Sequence, residues 1–307
     1  MPARVVAVVG PTATGKSDLA LALAERLGGE VVNADASQLY RGMDIGTAKL
    51  APGQRRGIAH HQLDVLDITQ DASVAAYQRE ARADIDAVLA RGRSPIVCGG
   101  SGLYVRAALD VLQIPPTEPA VRAAWEARLA ERGVAELYAE LGRRDSVAAA
   151  AIDPRNGRRI VRALEVIELT GAPFSATMPR REYVLPTVQL GLRLDRAELD
   201  GRIEARAARM WRDGLLDEVR GLAARGLADT RTASRAVGYA QALAQLRGDV
   251  TEAEAIADTA RATRRLARRQ ESWFGADPRV RWLDAEAAGA TGAAGADLLA
   301  AALDRLA

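Results

Sequence analysis

Gly10-Pro11-Thr12-Ala13-Thr14-Gly15-Lys16-Ser17 has the spacing G-x-x-x-x-G-K-[ST] of a phosphate-binding loop. In such a loop the chain leaves a strand and turns so that several peptide N–H groups converge. The start of the next helix adds partial positive charge. Gly10 and Gly15 permit the turn and the close approach of phosphate oxygens. Lys16 supplies a compact cation, and Ser17 a hydroxyl suited to Mg²⁺. Of 42 basic residues, lysine stands only at Lys16 and Lys49, which keeps it where a planar guanidinium would not fit. The motif specifies a phosphate or diphosphate and leaves the molecule carrying it open. A second candidate is Asp35, which ends the run Glu30-Val31-Val32-Asn33-Ala34-Asp35. At the carboxyl edge of a parallel sheet it would face the place where sites gather, although capping or loop ordering is its bland alternative. The pair His60-His61 has no further histidine to complete a metal site, so a structural or hydrogen-bonding role is expected.

The elements that must position these groups alternate. The apolar run Val5–Val9 precedes the loop, and a helix-forming run through Leu19–Ala24 follows it, ending at Gly28-Gly29. Residues 30–35 read as a strand, and 36–49 as an aperiodic, polar, glycine-rich loop of the kind that walls a site. A strand is expected over 62–66, a helix over 74–91, a strand over 95–98, then Gly99-Gly100-Ser101-Gly102 and a helix over 103–109. From Pro115-Pro116 the patterns over 118–132, 134–141 and 156–170 are helical, with no strand between them. Residues 187–194 return as a strand. Helices are expected over 197–212, 215–225 and 234–246, and a long one from Glu252 with the capping-box pair Thr251 and Glu254. The fold class is therefore α/β: a phosphate-loop parallel sheet core flanked by helices, with an all-helical insertion and a helical C-terminal region. The expected division is 1–114 with 187–284 as core, 115–186 as helical insertion, and 285–307 as an Ala/Gly-rich tail ending in a short amphipathic pattern.

On the last long helix Ile256, Ala260, Thr263, Ala267 and Phe274 share one face at ~100° per residue. Arg261, Arg264, Arg265 and Arg268 lie opposite or beside it, with Arg269 around the back, almost unopposed until Glu271. A solvated face is the bland alternative for such a stripe; tracking a phosphate backbone is the functional one. Gln270 falls on the apolar side and needs a partner there, either a backbone group or a base edge.

At 307 residues the chain can bury a full core. Its formal net charge of +2 confines any nucleic-acid surface to a local patch. The single Cys98 excludes an intramolecular disulfide framework and a cysteine-based zinc site. With a strand at the N-terminus and no membrane-length apolar run, a soluble cytoplasmic protein is expected, and the chain is read as a monomer.

Taken together, the phosphate loop, Asp35-Ala36-Ser37-Gln38-Leu39-Tyr40, Gly42–Lys49, Gly99–Tyr104, Arg159–Glu165, Val237-Gly238-Tyr239 and Arg268-Arg269-Gln270 with Trp273-Phe274 resemble the tRNA dimethylallyltransferase family. The resemblance runs from Val5 to about Phe274. It implies transfer of a dimethylallyl group from dimethylallyl diphosphate to the exocyclic amine of the adenosine at tRNA position 37, beside the anticodon, with Mg²⁺ as cofactor. It implies that Gly10, Thr12, Ala13, Thr14, Gly15, Lys16 and Ser17 hold the diphosphate, with Arg122 and Arg202, and that Ser17 lies at the metal. Asp35 would contact the amine and take its proton, with Lys16 and Ser101 completing the catalytic set. The tRNA contacts implied are Asp35, Ala36, Ser37, Gln38, Arg159, Arg162, Arg235, Tyr239, Arg268, Arg269, Gln270 and Trp273. Ala36 replaces a common serine, Ser101 a common threonine, and Ala240 and Gly275 stand where relatives often carry basic residues.

Four other readings compete: a nucleotide or small-molecule kinase, a mechanical ATPase, a prenyltransferase acting on free adenine nucleotides, and an RNA-binding module. The first two usually need an acidic residue after a hydrophobic strand to hold Mg²⁺, whereas Ile96-Val97-Cys98 runs into Gly99-Gly100. The arginine-rich helix favours tRNA over a free nucleotide, and a binding module leaves the phosphate loop and Asp35 without purpose.

Overall fold

Val5–Val9 form strand β1, buried along its whole length near the middle of a six-stranded sheet. A computed structural model describes residues 4–177, 180–285 and 293–306. The other strands are β2 (Glu30–Asn33), β3 (His60–His61), β4 (Pro95–Gly99), β5 (Thr187–Arg193) and β6 (Val280–Asp284). Every pairing is parallel, in the order β3-β2-β4-β1-β5-β6. Parallel strands covered on both faces need continuous apolar runs, which is what Val5–Val9 and Ile96-Val97 supply.

The helices are α1 (Lys16–Leu27), α2 (Val74–Ala90), α3 (Gly102–Leu109), α4 (Pro119–Arg132), α5 (Val134–Arg144), α6 (Ser146–Ala151), α7 (Gly157–Thr170), α8 (Arg196–Arg212), α9 (Leu215–Ala223), α10 (Tyr239–Leu246), α11 (Glu252–Gly275) and α12 (Ala293–Leu306). The chain forms two compact units, Asp110–Glu182 and the remainder. The helical unit thus starts five residues before the expected 115 and ends four before 186.

Several expectations are corrected. The third strand is His60–His61, paired with Val31 and Val32, and not 62–66; Leu66 makes only an isolated bridge to Tyr40. Gln62 and Asp64 take positive φ, so the chain leaves the sheet there. The expected helix 234–246 starts only at Tyr239, because Gly238 breaks it with φ of +93°. Strand β6 and helix α6 went unpredicted. Within the expected tail, helix α12 packs on the main core through Ala302 and Leu306, so it belongs to the sheet unit; 286–292 lie outside the described residues. The histidines are structural, as expected: His60 Nδ1 lies 2.9 Å from the Ile58 carbonyl, and His61 Nε2 2.7 Å from Glu30 Oε2.

In the sheet unit one core joins β1, β5, α1, α8, α11 and α12; a second joins Tyr40 and Met43 of the 36–49 loop to α9 and α10. That loop is pinned from inside. Lys49, buried, bonds the Tyr40 carbonyl at 2.7 Å, Asp44 at 2.7 Å and Asp64 at 2.6 Å.

The helical unit has its own core around Trp125, Leu141, Ile160 and Leu164. Its polar centre is Glu165, fully buried on α7, which accepts from Thr117 Oγ1, the Glu118 N–H, Arg122 and Arg162 at 2.7–3.1 Å. Burial pushes its pKa up, but these donors outweigh burial and hold it at about 2. Its folded pKa is depressed, so its contribution is present above the ordinary 4.5 and is lost as pH falls toward 2. Glu165→Ala would leave two guanidinium groups with no central partner. It is expected to cost about 3–5 kcal/mol, read by chemical denaturation at neutral pH, with the deficit shrinking in acid as the wild-type carboxylate protonates.

Candidate active site

The phosphate loop is built as its spacing requires. Gly10 has φ of +131°, and a Cβ there would come 2.5 Å from the backbone oxygen of Leu192 on neighbouring β5, so no side chain fits. Ala13 and Gly15 also take positive φ, which turns successive peptides toward one centre. Thr14 Oγ1 and Lys16 Nζ both donate to the Pro11 carbonyl, at 2.9 and 2.5 Å. Burial lowers the Lys16 pKa to about 8; Cys98 and Asp35 oppose the shift, and Arg206 adds to it. Burial likewise raises the Cys98 thiol to about 11.

Two residues past β2, Asp35 opens a short 3₁₀ turn over Ala36–Leu39. Its Oδ1 accepts from the Ser37 N–H at 3.0 Å, while Oδ2 has no hydrogen-bond partner among the described residues. Ser101 Oγ accepts from the Ala36 N–H at 3.2 Å, and its own N–H donates to the Ala34 carbonyl at 3.3 Å. The β4–α3 turn therefore buttresses the segment that carries Asp35.

A cavity of about 490 Å³ lies against these groups. Thr12, Asp35, Ser37 and Ser101 line one side; Ile203, Arg206, Ala207 and Met210 of α8 and Thr263, Arg269, Gln270 and Trp273 of α11 line others. Asp35 is the single carboxylate among its lining residues, which also include Arg206, Arg235 and Arg269. Helix α11 comes close because the turn after β4 is glycine: a Cβ on Gly100 would strike the Gln270 amide, and one on Gly102 the Trp273 indole.

The expected site residues separate into groups. Gly10, Thr12, Ala13, Thr14, Gly15, Lys16 and Ser17 form the loop, and Thr12, Asp35, Ser37, Ser101, Arg235, Arg269, Gln270 and Trp273 come together at the cavity. Ala36 and Gln38 share the 3₁₀ turn with Asp35, and Gln38 Nε2 bonds the Thr47 carbonyl at 3.1 Å. Gln270 finds its partners in the backbone: it accepts from the Thr12 N–H at 2.9 Å and donates to the Gly100 carbonyl at 3.1 Å. It thereby ties the phosphate loop to the β4–α3 turn.

Tyr239, expected at the RNA, is instead 0 % exposed, its ring against Gly46 and its hydroxyl donating to Glu218. Three of the five arginines on α11 are opposed after all. Asp258 one turn back pairs with Arg261, and α8 supplies Glu204 to Arg264 at 2.5 Å and Asp200 to Arg268 at 2.7 Å. A single helix viewed alone hides carboxylates contributed by its neighbour. In the helical unit Arg159 is exposed, while Arg122 and Arg162 are engaged with Glu165, and Arg162 also with the Pro115 and Pro116 carbonyls.

Arg202, expected at the diphosphate, pairs with Glu198 and is absent from the cavity lining. One turn later Arg206 is present, its guanidinium on Thr12 Oγ1 at 3.3 Å and the Thr47 carbonyl at 3.4 Å. Burial lowers its pKa and the Asp35 charge works against that shift. Sequence reasoning missed Arg206, yet a signal existed. Ile203, Arg206, Ala207 and Met210 share one helical face, and an arginine on a buried face needs an anion.

The sequence model of the IPP transferase family matches residues 38–277. The chain belongs to this family. The tRNA dimethylallyltransferase of Streptomyces avermitilis is 62 % identical over 288 residues, covering 94 % of this chain and 92 % of the relative. That of Salinispora arenicola is 61 % identical, covering 93 % and 83 %. Among solved structures, the full-length tRNA isopentenylpyrophosphate transferase of Bacillus halodurans superposes with a TM-score of 0.70 at 38 % identity, covering 99 % of this chain and 96 % of that one. A eukaryotic dimethylallyltransferase solved acting on tRNA gives 0.79 at 25 % identity, covering 92 % and 74 %. As an IPP transferase family member the chain carries the family's phosphate-loop core. Among the described residues no helix is long and apolar enough to cross a membrane.

Proposed function

We propose that this chain transfers the dimethylallyl group of dimethylallyl diphosphate to the exocyclic amine of the adenosine at tRNA position 37, releasing diphosphate. The observation that carries the reading is the pairing of a phosphate loop with one unshared carboxylate oxygen, Asp35 Oδ2, beside one cavity. The allylic C–O bond breaks with its electron pair passing to the diphosphate, and the adenine nitrogen forms the new C–N bond. That nitrogen becomes acidic as the bond forms, and Asp35 Oδ2 takes the proton. Charge growing on the leaving oxygens is met by the loop N–H groups, Lys16 and Arg206, all held in place beforehand. The base must leave its stack to reach the cavity.

Mg²⁺ fits the donor set. Ser17, in the first turn of α1, has a hydroxyl without a protein partner among the described residues, and Mg²⁺ commonly takes few protein ligands beside substrate phosphates and water. When bound it would neutralise charge on the diphosphate. Among the described residues no cluster of three or more acidic, histidine or cysteine side chains offers an all-protein metal cage.

The deciding experiment mixes protein, Mg²⁺ and labelled dimethylallyl diphosphate with either tRNA or AMP. Label on the tRNA adenosine is expected; label on AMP alone, or phosphoryl transfer from ATP, would reassign the enzyme. The RNA contact itself is tested at Arg235 and Arg269, which have no carboxylate partner among the described residues. Their combined replacement by alanine is expected to weaken tRNA binding and to flatten the slope of log K against log[salt] by about 1–2. Arg261→Ala, whose cation is already paired with Asp258, is expected to change that slope little.

A further inference from the structure

We infer that Asn33 is a positioning residue for the Asp35 carboxylate, an assignment that rests on the reading of Asp35 as proton acceptor. Asn33 ends β2, in register with Cys98 of β4, and it is 4 % exposed. A buried amide in that place is costly unless its donors and acceptor are used. All of them are used, two on the Asp35 backbone and one on Gln62. Asn33 Oδ1 accepts from the Asp35 N–H at 3.0 Å, and Nδ2 donates to the Asp35 carbonyl at 3.0 Å. The second Nδ2 hydrogen goes to the Gln62 carbonyl at 2.9 Å, beside β3. The Asn33 carbonyl in turn receives the buried Tyr77 hydroxyl at 2.8 Å.

One side chain therefore holds both backbone polar groups of Asp35 and anchors them to Gln62, the residue just past β3. Asp35 has extended backbone, φ −108° and ψ 117°, and no sheet partner of its own. With the peptide fixed on both sides, the Ser37 N–H on Oδ1 leaves Oδ2 one direction to point. An apolar residue at 33 would leave the Gln62 carbonyl and the Asp35 N–H without these bonds and free the peptide to turn. Displacements of about 1 Å at a reacting group can cost 10²-fold in rate.

The test is single-turnover transfer with tRNA and dimethylallyl diphosphate in Asn33→Ala, Asn33→Ser and Asn33→Asp, each in wild-type and Asp35→Asn backgrounds. Asn33→Ala is expected to lower the rate about 10- to 100-fold, leaving affinity for inorganic diphosphate within about twofold. Serine, whose hydroxyl can still accept the N–H two residues on, is expected to recover most of the loss. Asn33→Asp keeps the shape and the acceptor but loses both donors, and is expected to fall between; it decides the matter if the alanine variant does not fold. In the Asp35→Asn background none of the three should slow the reaction further, because Asn33 acts through Asp35. An unchanged rate in Asn33→Ala, or equal losses in both backgrounds, overturns the inference. A wild-type rate in Asp35→Asn alone overturns the underlying role of Asp35 instead.

Discussion

Asp35→Asn is expected to slow single-turnover prenyl transfer by about 10²–10⁴-fold, the usual range for losing a positioned proton acceptor. The replacement keeps the shape and an oxygen to receive the Ser37 N–H, which is bonded at 3.0 Å. The 3₁₀ turn over Ala36–Leu39 should therefore survive. What disappears is the basicity of Oδ2, the oxygen without a hydrogen-bond partner among the described residues, on a residue that lines the cavity. Affinity for tRNA is expected to change by less than about threefold, because the base is held by many groups and the proton moves only as the new bond forms. Stopped single-turnover assays and equilibrium tRNA binding separate the two quantities. A variant that binds tRNA poorly yet transfers the group at the normal rate would make Asp35 a recognition group and leave the proton acceptor to be found elsewhere.

What was legible in the sequence depended on whether the signal was local. The loop Gly10–Ser17 carries its geometry in its own glycines, and the strands around it in their β-branched runs, so both stand where the pattern put them. Asp35 was legible because it closes such a run. The capping pair Thr251 and Glu254 likewise marked the start of α11. Strand β6 was hidden because Val280–Asp284 is half exposed at the sheet edge and follows directly on a helix. Arg206, one helical turn past Arg202, was not legible: spacing alone does not say which turn of α8 faces Thr12. The partners of Arg264 and Arg268 come from α8, some sixty residues away in sequence, and no single-helix reading could supply them. Asn33 shows the same limit from the other side. Its side chain acts locally, on a residue two positions away, yet its value is set by the cavity that Asp35 faces.

Lys16→Met is expected to lower the transfer rate by about 10²–10³-fold, comparable to removing a preorganised donor from a developing oxyanion. Arginine should not restore it. Lys16 Nζ sits inside the loop, 2.5 Å from the Pro11 carbonyl, where a planar guanidinium has no room to adopt the same geometry. The pH dependence gives a second, independent reading. Burial places the Lys16 pKa at about 8, below the ordinary 10.5. The ammonium is therefore mostly charged at neutral pH and loses its charge as pH rises through 8, well before an exposed lysine would. Affinity for inorganic diphosphate in the absence of metal is expected to fall over that interval in the wild-type protein. The diphosphate changes its own protonation in the same range, so the informative quantity is the difference between the wild-type and Lys16→Met profiles. A difference that closes with rising pH assigns the titration to Lys16. Parallel profiles would mean that its charge does not reach the anion, and that the loop amides and Arg206 carry the diphosphate alone.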